Sequence, residues 1–199
     1  FALVILGGTA LLSLPLAVKS GEFNNVVDAL FTATSAVCVT GLVVVDTGTF
    51  YNSFGHAVIL LLLQIGGLGI ITAATFYTLL LGKRIGLRER VLLKEALNKD
   101  SLGGVVRLVN SILLVTIVIE ATGAFILFLA FLKYFPPPTA LWYGVFHGIS
   151  AFCNAGFDLF GQEFFAYSGL GPFRNDKLIL LTIAGMIVLG GLGFTVILD

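Results

Sequence analysis

The sequence predicts an all-α membrane protein made of two tandem repeats, each a span, a short helix, a glycine-ended loop and a second span. Three observations carry this. The 199 residues are 58% hydrophobic and 11% charged, with a mean hydropathy of +1.06, more apolar surface than a soluble domain of this size can bury. The stretch from Phe31 to Leu42 recurs from Phe146 to Phe157, 115 residues later, with Phe, Ser, Ala, Cys and Gly identical in register, the mark of an internal repeat. Net charge is zero, yet seven of the eleven basic residues fall between Lys83 and Arg107, which places that segment in the cytoplasm.

Taken in order, Phe1 to about Val18 is an apolar run of spanning length with Pro15 near its end, and Lys19-Ser20-Gly21-Glu22 returns it to a surface. Asn24 or Asn25 caps a second helix, Asp28 sits in its first turn, and the helix runs to about Val37. Its reach of roughly 17–20 Å is about half a bilayer, so it is expected to be re-entrant. The β-branched run after Gly41 leads back to the surface near Asn52. Phe54 to about Leu81 reads as the second span, with Gly66-Gly67-Leu68-Gly69 near its middle and Gly190-Gly191-Leu192-Gly193 as the counterpart. These glycines read as close helix packing ahead of hinges.

The basic stretch 83–103 has the pattern of a short amphipathic helix, ended by Gly103-Gly104. Val105 to about Tyr134 is the third span and carries the lone intramembrane acid Glu120. Pro136-Pro137-Pro138 stops it, Thr139 to Phe152 is the second short helix, and Lys177 to Leu198 is the last span. Residues 1-82 and 104-199 are therefore the repeats, joined by the connector. Two crossings per repeat return the chain to its starting side, so the halves share one orientation, about an axis along the membrane normal. The chain opens on the already apolar Phe1 and closes in another apolar run. It is expected to be a fragment, and its first residues lack the basic leader and cleavage site of a signal peptide.

A half-helix entering from outside aims its C-terminal carbonyls, with about half a negative charge, at the membrane centre. Irregular backbone at that depth is tolerated where it lines a watery cavity, and its carbonyls can replace the hydration shell of an alkali ion. Cys38-Val39-Thr40-Gly41 and Cys153-Asn154-Ala155-Gly156 share Cys and Gly but not the side chains between, as expected if main chain coordinates the ion. Gly41 and Gly156 supply backbone freedom there.

The segments Thr34 to Leu42, Val44-Val45-Asp46-Thr47-Gly48, Gln64 to Gly69 and Phe152 to Asp158 closely resemble the ion-translocating subunit of bacterial Ktr-type potassium uptake systems, within the Trk/Ktr/HKT superfamily. The resemblance covers essentially the whole chain. It implies four span, pore helix and span repeats around one pore, with Gly41 and Gly156 as the first two filter glycines and potassium as the transported ion. By that resemblance the third and fourth repeats and their gating loop are expected to lie outside these residues, so the pore is expected to need those repeats or a second copy. The resemblance further implies a homodimer in the cell's plasma (inner) membrane, mounted on a cytoplasmic ring that binds nucleotide on its own subunit, with the connector 83–103 as a candidate contact. It implies no cofactor on this chain and no metal beyond potassium at the filter. Plant relatives with serine at the first filter glycine are associated with sodium permeation, so glycine at both positions leans toward potassium and leaves a sodium-permeable relative as the alternative.

Other readings stand beside this one. Cys38 and Cys153 read as small buried hydrophobes, since two thiols without histidines make a poor metal site. Glu120 reads equally as a structural bond to a neighbouring helix and as an ion- or proton-coupled group. Asp46 and Asp158 are candidates for concentrating cations at the outer mouth, against ordinary solvated loop residues. His56 reads as a surface or capping group. A hydrolase pairing His147 with Ser150 lacks a third member and an oxyanion loop, so the chain is not expected to be an enzyme. The basic connector reads as topology and anionic-lipid contact as readily as partner docking, and nothing suggests nucleic acid.

Overall fold

The computed structural model describes residues 1–69 and 105–192, without the side chains of 105–108. The connector 83–103, the continuation of the second span toward Leu81 and the end of the last span lie outside the described residues. Those residues are helical, without a strand: α1 (Ala2–Ser13), α2 (Val26–Val37), the single turn α3 (Thr47–Phe50), α4 (Ser53–Gly67), α5 (Val105–Phe131), α6 (Pro137–Phe152) and α7 (Lys177–Gly191).

In the first repeat, α1 stops at Ser13, short of the expected Val18, because Pro15 cannot donate to a continuing helix; a short 3₁₀ turn, Pro15–Ala17, follows. Asn25 opens α2 by accepting the Val27 N–H at 2.9 Å, as its position before an apolar run predicts. A buried polar knot closes the outer corner. Asn24 donates to the Leu12 carbonyl and the Tyr51 hydroxyl, which in turn bonds Thr32 on α2. Asn52 caps α4 and ties it to the Leu16 and Val18 carbonyls. Of the span expected from Phe54 to about Leu81, the described part is α4, which closes at Gly67, after which Gly69 takes the left-handed region at φ +78°.

The second repeat follows the same plan, with a longer first span and a longer short helix. In α5, the 23 apolar residues Val109–Phe131 are long enough to cross a bilayer. Proline opens α6 two residues before the expected Thr139, where a missing N–H costs nothing. Gly144 and Gly148, four apart on α6, let it lie against Ala124 and Phe128 of α5, the small-residue contact by which membrane helices approach closely. Asp176 caps α7 through the Leu178 and Ile179 N–H groups. Outward-facing apolar side chains such as Leu3, Leu114, Ile117, Leu181 and Val188 are well exposed, and suit a hydrocarbon surround. The seam between repeats is made by α4 against α6 and by α3 against the 3₁₀ turn Phe160–Gln162.

Candidate functional site

Both short helices end in the same way. At the end of α2, Thr40 N–H reaches back to the Ser35 carbonyl (2.8 Å) and Val39 N–H to the Ala36 carbonyl (3.2 Å). At the end of α6, Ala155 N–H reaches Ser150 (2.8 Å) and Asn154 N–H reaches Ala151 (3.0 Å). This is the paired-bond cap that needs a left-handed residue just past the helix. That residue is Val39 at φ 54° in one copy and Asn154 at φ 59° in the other. Two residues on, Gly41 and Gly156 both stand at φ +76°. All four partners and both left-handed positions keep the 115-residue register, so the duplication holds in backbone geometry as well as in sequence.

The cap turns each chain end abruptly and leaves the following carbonyls without helical partners. Among the described residues, no carbonyl of 38–41 or 153–156 accepts a hydrogen bond. The side chains at the left-handed positions are directed away, onto the second span of their own repeat. Val39 lies against Gly66, and Asn154 lies beside Gly190. Turned so that its nitrogen faces the Ile187 carbonyl (3.2 Å), the Asn154 amide also accepts from Gly191 N–H (3.3 Å).

Each Gly-Gly-Leu-Gly run explains itself at this point. A Cβ on Gly66 would strike the Val37 carbonyl, and one on Gly190 would strike the equivalent Phe152 carbonyl. The packing reading therefore holds in both repeats, and in the first the run also ends the helix. The two loops meet directly: a Cβ on Gly41 would overlap the Ala155 carbonyl oxygen, whereas one on Gly156 would meet nothing within 4 Å.

Residues 4–199 match the family described as TrkH, cation transport protein. The chain belongs to the TrkH family. It is 44% identical over 199 residues to Ktr system potassium uptake protein B of Bacillus subtilis, covering 100% of this chain and 43% of that protein. It is 40% identical over 196 residues to potassium/sodium uptake protein NtpJ of Enterococcus hirae, covering 98% and 42%. With the Ktr system potassium uptake protein B of Vibrio alginolyticus it shares 42% over 196 residues, covering 98% and 41%. The chain thus spans less than half the length of these relatives, and membership makes it a membrane protein.

Several residues of this TrkH-family chain sit differently from expectation. Cys38 is exposed, not buried, whereas Cys153, at the same position past α6, is buried as expected. Asp46 is neither solvated nor free at a mouth. It is 7% exposed, and its two oxygens accept the Thr49 N–H at 2.7 Å and the Tyr167 N–H at 2.6 Å. Asp158 is half-buried and caps the turn at Phe160. It lines a cavity of about 310 Å³ with Asn154 and Gly156, and burial raises its pKa, partly opposed by the Phe160 N–H.

His56 is a buried group rather than a surface one, its Nε2 donating to the Thr47 carbonyl. His147 and Ser150 do not meet as a pair. His147 donates from Nδ1 to the Tyr143 carbonyl and accepts the Leu159 N–H at Nε2, and Ser150 donates to the Phe157 carbonyl. Both thus anchor the segment after the second loop, with Phe160 stacked on the imidazole at 4.0 Å. Glu120 accepts a hydrogen bond from Gln64 on α4 at 2.7 Å. Gln64 was not singled out from sequence as a partner. The signal that would have found it is a lone amide facing a lone acid in neighbouring apolar spans.

Proposed function

We propose that this chain is half of a potassium-conducting pore, in which the main-chain carbonyls of Cys38–Gly41 and Cys153–Gly156 replace water around the ion as it passes inward. The observation that carries the reading is the duplicated cap: two loops of one geometry, in contact at Gly41 and Ala155, with carbonyls unclaimed by the described protein. Helix C-termini behind both loops favour a cation over an anion. Two loops enclose only part of an ion. Gly156 faces open space where Gly41 faces its neighbour, and further repeats packed there would close the ring. On this reading the assembly is a homodimer in the plasma membrane, and the connector meets a nucleotide-binding ring on the cytoplasmic side.

The names of relatives keep a sodium-permeable transporter as the second reading, since one is a potassium/sodium uptake protein. Flux of rubidium against sodium through the assembled transporter in proteoliposomes separates the two. A rubidium preference that collapses in Gly41→Ser supports the potassium filter. A sodium preference in the parent protein, or an unchanged preference in Gly41→Ser, overturns it.

A further inference from the structure

The two loops share a backbone but are held differently. Cys153 donates from Sγ to the Gln64 Oε1 at 3.3 Å, and Gln64 donates from Nε2 to the Glu120 Oε2 at 2.7 Å. One turn beyond Gln64 on α4, Gly67 lies so close to the Cys153 Sγ and Cβ that its own Cβ would stand 2.5 and 2.9 Å from them. Two residues on one face of the first repeat's second span thus contact the first residue of the second loop. The Glu120 Oε1 has no partner among the described residues, so its bond to Gln64 is what orients the carboxylate and, through it, the amide.

Among the described residues, nothing in the first repeat matches this chain of bonds. The residue 115 before Glu120 is Ile5, and the residue standing to Gly190-Gly191 as Gln64 stands to Gly66-Gly67 is Val188. Neither can make the bond, and Cys38 is correspondingly exposed.

We propose that Gln64, oriented by Glu120, is a positioning residue for the second filter loop, holding Cys153 so that the carbonyls of 153–156 cannot spread around a smaller, more strongly hydrated ion. This rests on the filter reading. Discrimination between alkali ions by carbonyls depends on their number and placement, and supporting bonds behind a coordinating group fix that placement. The amide suits the task because it accepts from a thiol and donates to a carboxylate at once.

Rubidium and sodium fluxes through the assembled transporter in proteoliposomes test this with Gln64→Met, Cys153→Ala, the two combined, Glu120→Gln and Gly156→Ser. Gln64→Met is expected to raise the half-saturating rubidium concentration and to lower the rubidium-to-sodium ratio, each about fivefold, with maximal flux within about twofold. Contacts that act through one link give non-additive double variants, so the combined variant should shift no further than Cys153→Ala alone. Glu120→Gln, which keeps an acceptor for Gln64, should retain the parent ratio. If Gln64→Met does not accumulate, Cys153→Ala alone must show the shift. Parental discrimination in Gln64→Met or Cys153→Ala, or additive effects, overturns the positioning role. Should Gly156→Ser also leave discrimination unchanged, the filter reading itself fails; if Gly156→Ser abolishes it while Gln64→Met does not, only the positioning role fails.

Discussion

Val39 is the residue that most needs explanation, because a β-branched side chain at φ 54° occupies backbone space that normally belongs to glycine or asparagine. Its counterpart Asn154 tolerates the same geometry through its short polar side chain. Replacing Val39 with asparagine should therefore stabilise the protein by about 1 kcal/mol by removing left-handed strain, read as a higher melting temperature in detergent. The filter glycines should differ in the same assay. Gly156→Ala meets open space and carries only the cost of its positive φ, about 1–2 kcal/mol. Gly41→Ala adds a collision with the Ala155 backbone, so it should be the more destabilised of the two. Equal losses would mean that the two loops do not touch in solution.

Among the elements, α7 offers opposed substitutions on one helix. Gly185→Ala places a methyl group where nothing lies within 4 Å and should stabilise by up to about 1 kcal/mol through helix propensity. Gly190→Ala drives the methyl into the Phe152 carbonyl and should destabilise by about 1–3 kcal/mol, as overpacking does. Thermal melting of the two variants reads both signs. The start of α7 adds a pH dependence. The Lys133 ammonium bonds Asp176 at 3.1 Å and holds its carboxyl below the ordinary value of 3.8 against the opposing effect of burial, helped by the Ile179 N–H and Tyr134. A carboxyl whose pKa is lowered by folding stabilises the fold above its unfolded value and loses that contribution as pH falls through the folded one. Asp176→Ala should thus melt lower than the parent protein at neutral pH, by about 1 kcal/mol for the lost cap, with the gap narrowing once the pH drops below 3.8.

At the scale of the whole molecule, the two repeats are also joined beyond the filter loops by cross-links that a repeat alignment does not anticipate. Asp46 of the first repeat accepts the Tyr167 N–H of the second and fixes that residue at φ 61°. Lys19 spans the same gap to Gln162. Removing the first link with Asp46→Ala should cost about 1.5–3 kcal/mol, the range for hydrogen bonds to a charged group, and should expose the loop 158–176 to protease before the helices. Cleavage at the parental rate would show that Asp46 does not hold that loop.

Much of this architecture was legible in the chain itself. The 115-residue register and the glycine ends predicted both loops, the Asn24-Asn25 pair predicted to within a residue where α2 begins, and apolar length predicted α5, because each depends on residues close in sequence. Tertiary structure decided what distance in sequence concealed: that Asp46 and His56 are buried and bonded, and that Gln64 stands between Glu120 and Cys153. Local pattern fixes where a helix caps and which way its carbonyls turn. Which polar group meets which across a seam depends on how two repeats settle together, and only their packing supplies that.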